Sequence, residues 1–118
     1  MNESNLTADE RRAVNKTLRM FDVFRSVDPT MPIGTIASFL HVASNEGLAV
    51  RDLEALGFSK ASASNHARHL GEGVARAGRQ GLGLVAHNLD PKDVRIKRLS
   101  LTPKGELLAA QIANVVRR

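Results

Sequence analysis

Val50-Arg-Asp-Leu-Glu-Ala-Leu-Gly-Phe-Ser-Lys-Ala-Ser-Ala-Ser-Asn-His-Ala-Arg-His-Leu70 is the stretch whose reading decides the fold. Val50 to Leu56 reads as a short helix with Leu53 and Leu56 inward. Gly57 stops it, because glycine takes up the left-handed backbone that ends a helix without a Cβ penalty. Phe58 follows as an apolar plug, and Ser59 suits a cap, its hydroxyl accepting from an unpaired amide of the first turn. Ala63, Ala67 and Leu70 then share one face at helical spacing. A short helix, a glycine turn and a capped second helix form the helix-turn-helix pattern, placed at about residues 50–70.

The flanking sequence supplies the rest of a small core. Thr7-Ala-Asp-Glu10 is a capping box, and Val14, Leu18, Phe21 and Phe24 behind it recur at helical spacing, predicting a helix over 8–27. Asp28-Pro29 ends it. Pro32 suits the first turn of a second helix, since its missing amide hydrogen has no helical partner there. Ile33, Ile36, Ala37, Leu40 and Ala43 make the stripe of that helix, with Phe39 and Val42 off it, so more than one side should be covered. Asn45-Glu-Gly47 closes it.

Past Leu70, glycines at 71, 73, 78, 81 and 83 argue against a regular element and for a flexible connection, with Arg76 and Arg79 open to a polyanion. Leu84-Val-Ala-His-Asn88 and the run containing Ile96, Leu99 and Leu101 flank the polar turn Asp90-Pro-Lys-Asp93, which reads as a β-hairpin over about 84–102. Thr102-Pro103 caps a last helix whose stripe is Leu108, Ile112 and Val115, flanked by Leu107 and Val116. The fold class expected is α+β, mainly α: a single winged helix-turn-helix domain over 1–118 with a two-stranded β-wing.

Composition narrows the partner. The chain has 118 residues, no cysteine and a net charge of +5, so disulfides and thiolate metal sites are excluded and an anionic partner is favoured. Residues 59–89 and 90–105 each carry +3, whereas the rest of the chain sums to −1. Local basicity of this kind fits nucleic acid better than a membrane surface, and with 4 Phe, no Trp and no Tyr the chain lacks a base-stacking platform. No run is apolar enough to span a bilayer and MNESN does not read as a signal peptide, so a cytoplasmic protein is expected.

Four stretches in order resemble the MarR family of winged-helix transcription regulators, over roughly residues 31–116. Met31-Pro-Ile-Gly-Thr-Ile-Ala-Ser-Phe-Leu40 with Asn45-Glu-Gly47 is similar to that family's central helix, and Leu56-Gly-Phe-Ser-Lys-Ala-Ser-Ala-Ser64 to its turn and recognition-helix start. Asp90-Pro-Lys-Asp-Val-Arg95 is similar to its wing signature, and Leu101-Thr-Pro-Lys-Gly105 to the entry of the following helix. Small phage- and plasmid-type members are the nearest in pattern, partly through Gly81-Leu-Gly-Leu-Val85. There are departures: the helix before the turn is one residue short, and Asn65 stands where many relatives have Arg. Only one helix follows the wing, which leaves little room for the ligand crevice of larger members.

The resemblance implies a sequence-specific double-stranded DNA-binding regulator, a repressor, with helix 59–70 in the major groove and wing 90–98 at the minor groove. On a helical wheel Ala61, Ser62, Asn65, Arg68 and His69 face outward, with Asn65 able to pair bidentately with adenine and Arg68 with guanine or a phosphate. Ser59, Lys60, Ser62 and Ser64 lie near the helix start, where hydroxyls and free amides suit phosphate oxygens. By resemblance Arg95 enters the minor groove, oriented by Asp93, while Lys92 and either Lys97 or Arg98 lie beside phosphates.

His66 and His69 are one turn apart, but zinc needs three or four ligands and nothing nearby completes a set, so no metal or cofactor is expected. His41 and His87 stand alone. No nucleophile, base and orienting group fall together, and no Gly-Lys-Ser/Thr closes the glycine stretch into a phosphate loop, so an enzyme is not expected. Apolar residues of the first and last helices suggest a homodimer, as two half-sites one DNA turn apart require. Two other classes remain open: an architectural or replication and partition DNA-binding module, and a protein-interaction winged helix.

Overall fold

The computed structural model describes residues 5–73 and 78–118. Among the described residues, five helices and one hairpin follow in chain order: α1 (Ala8–Val27), α2 (Ile33–Ser44), α3 (Val50–Ala55), α4 (Lys60–Leu70), β1 (Val85–Leu89), β2 (Lys97–Leu101) and α5 (Pro103–Arg117). The architecture is mainly helical with a two-stranded antiparallel sheet, a winged helix-turn-helix. At the start of α1 the Thr7 hydroxyl accepts from the Glu10 amide at 3.0 Å, while the Glu10 carboxylate accepts from the Thr7 amide at 2.9 Å. Both orphan donors are thereby satisfied, and the bonds hold the Glu10 carboxyl below its ordinary range.

The core lies where α2 crosses the others. Phe24 of α1 and Phe39 of α2 meet edge to face with ring centroids 5.8 Å apart, a favoured aromatic geometry. Around them Val42, Leu53, Ala63, Ala67, Leu70, Leu84, Leu99, Leu108 and Ile112 are buried. The stripe expected on α2 is shifted in phase. Phe39 and Val42 are fully buried and Ile33 is 75% exposed, because α2 turns its Thr35, Ile36, Ser38, Phe39 and Val42 face into the centre. The two hydroxyls on that face are bonded; Ser38 donates to the Gly34 carbonyl at 2.8 Å. Leu56 departs in the same way. α3 stops at Ala55, and Leu56, as its C-cap, is half exposed while Leu53 fills the core alone. Gly57 follows with φ +110°, the conformation the helix-turn-helix corner needs.

Strands β1 and β2 pair with Val85 opposite Leu101 and Leu89 opposite Lys97. The segment before α3 adds an isolated bridge between Ala49 and Arg98, with Leu99 donating to the Leu48 carbonyl and Gly47 donating to the Leu99 carbonyl, both at 2.8 Å. The wing is thus fastened to the helix-turn-helix. The described flanks of the glycine segment are stitched together, while the middle of the flexible connection expected there, residues 74–77, lies outside the described residues. Gly81 donates to the Gly73 carbonyl, Leu82 to His69 and Gly83 to Gly71, each at 2.8 Å. Gly81 is required there, since a Cβ would overlap the Gly71 carbonyl. Arg76, a candidate polyanion contact, lies outside the described residues.

Candidate nucleic-acid interface

Ser59 caps α4 as its sequence suggests, accepting from the Ser62 amide at 3.1 Å. With Ala63, Ala67 and Leu70 buried, the opposite surface of α4 is free, and Lys60, Ala61, Ser64, Asn65 and Arg68 line one shallow recess on it. Arg68 is exposed and donates to the Ser64 hydroxyl at 3.1 Å, a contact one turn back along the helix. Ser62 is half buried on the other edge.

His69 is placed differently from the outer face assigned to it. Its Nε2 lies 3.3 Å from Asp28 Oδ2, and its Nδ1 lies 3.3 Å from Thr35 Oγ1. By helical spacing His69 falls at the edge of the outer surface, and the junction of α1 with α2 closes over that edge. His66 Nδ1 bonds the same Thr35 hydroxyl at 3.0 Å, and its ring stands edge-on to Phe58 at 5.5 Å. All partners are satisfied when His69 Nε2–H donates to Asp28, the Thr35 hydroxyl donates to His69 and His66 Nδ1–H donates to Thr35. Gly34 makes room for the His66 ring, which a Cβ would strike. The two histidines therefore fix α4 to α2. Among the described residues no group of three or more His, Cys, Asp or Glu is arranged to hold a metal ion.

Burial, and secondarily the proximity of His69, lowers the proton affinity of His66. A folded-state value below the unfolded one means that the unfolded chain binds the proton more readily, so stability is present above about pH 6.5 and lost as pH falls below it. The melting temperature should fall between pH 7 and pH 5, and His66→Gln should flatten that slope. An unchanged slope in the variant would remove His66 as its source.

The wing tip is organised by two carboxylates. Asp90 Oδ1 accepts from the amides of Lys92 and Asp93 at 2.8 and 3.2 Å, and Oδ2 accepts from Arg98 Nε at 2.8 Å. Asp93 grips Arg95 bidentately, Oδ1 accepting from Nε at 3.0 Å and Oδ2 from a terminal nitrogen at 3.1 Å, with the Arg95 amide also donating to Oδ1. These bonds hold both carboxyls below their ordinary range: Arg98 first for Asp90, Arg95 first for Asp93. The Arg95 side chain is nonetheless 87% exposed. Lys92 and Lys97 are exposed. Arg98 has a different position: besides Asp90 it donates to the Gly47 carbonyl at 3.1 Å, so its guanidinium is committed to anchoring the wing rather than free beside a phosphate. His87 is not alone either, its Nε2 lying 2.8 Å from the Ala67 carbonyl and tying β1 to α4.

One residue was missed by sequence reasoning. Arg51, at the start of α3, lines a cleft of about 220 Å³ together with Lys60 and Ser64 of α4 and Arg95 and Lys97 of the wing. Its segment carries a net charge of −2, which hid it. Asp52, however, spends its carboxylate on the Ala49 amide at 2.9 Å.

The chain is a winged helix-turn-helix protein. Its fold is similar to that of a probable transcriptional regulator from Pseudomonas aeruginosa solved by crystallography, with a TM-score of 0.56 and 18% identity, over 89% of this chain and 76% of that one. No family model and no curated protein sequence matches the chain. Among the described residues no helix is long and apolar enough to cross a membrane.

Proposed function

We propose that the chain is a sequence-specific double-stranded DNA-binding transcriptional regulator of MarR-like type, acting in the cytoplasm as a repressor. The observation that carries this reading is the shared cleft: the recognition helix and the wing present Lys60, Arg95 and Lys97 around one space, as two arms about a polyanionic strand. α4 enters the major groove, where Asn65 reads adenine and Arg68 reads guanine or a phosphate. Ser59, Lys60, Ser62 and Ser64 position the helix on the backbone, Arg95 reaches the minor groove, and Lys92 and Lys97 flank it. Bound over a promoter, such a protein excludes polymerase.

The partner copy is engaged through α1 and α5. Phe24, Leu108 and Ile112 are consumed by the chain's own core, leaving Val14, Leu18, Leu107 and Val116 as exposed apolar residues for the second protomer. Light scattering at micromolar concentration should give twice the chain mass, and a monomer with and without DNA would reject the dimer.

Selection of bound sequences from random duplexes tests the whole reading. A discrete palindrome with half-sites about one turn apart supports it. Long continuous footprints would assign an architectural or partition module instead, and no binding at low salt alongside a stable complex with a protein would assign an interaction module. On the selected site, Asn65→Ala should relax discrimination at one base pair by about tenfold, measured by competition with single-base variants.

A further inference from the structure

We propose that Arg51 is a backbone-phosphate ligand, seating the DNA strand in the cleft between α3, α4 and the wing together with Lys60 and Lys97. The proposal rests on the DNA-binding reading and adds to it a contact from the first helix of the helix-turn-helix. Three observations carry it.

First, the cleft has room for a phosphate group and is bordered on three sides by separate elements, each contributing a cation: Arg51 from α3, Lys60 from α4 and Lys97 from β2. Second, none of these three cations is ion-paired among the described residues, whereas Arg95 and Arg98 beside them are held by Asp93 and Asp90. Arg51, Lys60 and Lys97 outnumber the single acid on the cleft wall, and an anion relieves the repulsion among them. Glu54 is the one acid on the cleft wall, since Asp52 is turned to the Ala49 amide. Third, Arg51 acts on the wing: its positive field contributes to lowering the proton affinity of Asp93, the residue that holds Arg95. Arg51 thus lines the same cleft as Lys60 of α4 and Arg95 and Lys97 of the wing, beside the space a strand touching both would occupy. Its planar guanidinium suits bidentate phosphate contact, while Lys60 and Lys97 act as point charges.

A phosphate contact has a signature that sequence readout lacks. Each one removed lowers the slope of log Kd against log salt by about 0.9 and weakens binding on all duplexes alike. The experiment measures Kd for the selected site and for a random duplex, across a salt series, with wild type, Arg51→Ala, Arg51→Gln and Glu54→Gln. Arg51 and Glu54 are exposed, so the folds should hold, which thermal melts check. Both Arg51 variants should lose about one unit of salt slope and bind about tenfold more weakly, with the ratio between the two duplexes unchanged. Glu54→Gln should bind about twofold more tightly, through removal of a like charge at the rim. If wild type binds with discrimination and the Arg51 variants keep its slope, the Arg51 assignment falls while the DNA reading stands. If the variants instead change the ratio between duplexes, Arg51 reads bases and the phosphate assignment is wrong. If wild type binds no duplex at low salt, both are wrong.

Discussion

Arg95→Ala should weaken binding to the selected duplex by about tenfold to a hundredfold at fixed salt while leaving the melting temperature within about 2 °C of wild type. The two halves of this result have separate causes. Arg95 is exposed and bonds only to Asp93 on its own turn, so removing it takes no contact from the core. Its guanidinium is held only within the wing tip, by Asp93, and on the proposed reading a narrow A·T-rich groove concentrates the negative potential that attracts it. The loss should therefore be greatest on sites with an A·T tract beneath the wing. Arg98→Ala supplies the contrast. Its guanidinium bridges Asp90 and the Gly47 carbonyl, so truncation removes the side-chain tie between the wing and the α2–α3 connection, leaving the backbone bonds of Gly47 and Leu99, and lowers the melting temperature as well as affinity. Normal binding by Arg95→Ala on the selected site would remove the wing from the interface.

The contrast between Arg95 and Arg98 also marks how far a sequence can be read. Both are basic and both sit in a polar hairpin, and the family resemblance implies DNA contact for both, Arg95 in the minor groove and Lys97 or Arg98 beside a phosphate. They part because Gly47, far away in the chain, brings its carbonyl to one of them. Local signals survived folding well: the Thr7–Glu10 box, the Ser59 cap, the Ala63, Ala67 and Leu70 face and the hairpin depend on near neighbours, and each stands where the pattern put it. Signals that depend on where another element lands were poorer. The buried phase of α2 was misjudged because Thr35 and Ser38 face inward, satisfied by His66 and by the Gly34 carbonyl, and an apolar stripe cannot register a satisfied hydroxyl. His69 was misassigned because only the position of Asp28 decides which way an edge residue turns. Arg51 escaped because net charge over a segment averages away a cation whose acidic neighbour is occupied elsewhere.

Gly105→Ala should lower the melting temperature by about 10 °C, against the stabilisation of about 1 kcal/mol that alanine normally brings to a helix interior. Gly105 lies in the first turn of α5, and the Thr102 hydroxyl accepts from its amide at 3.0 Å while donating to the Gly83 carbonyl at 2.6 Å. Its buried Cα faces the backbone of Leu84, whose carbonyl oxygen already accepts from the Thr102 amide at 3.1 Å. A Cβ there would overlap that oxygen. Neither partner can give: the oxygen belongs to the residue leading into β1, and its amide is stitched to the Leu70 carbonyl at 2.9 Å. Relief must come from α5 moving away, which strains the Thr102 cap and loosens Leu108 and Ile112 from the core, an overpacking cost of about 1–3 kcal/mol or more. Gly73→Ala is the matched control, because a Cβ at that position meets nothing within 4 Å among the described residues. Its melting temperature should stay close to wild type. Stabilisation by Gly105→Ala would mean that the start of α5 does not pack against the chain leading into β1, and the described joint between wing and last helix would have to be redrawn.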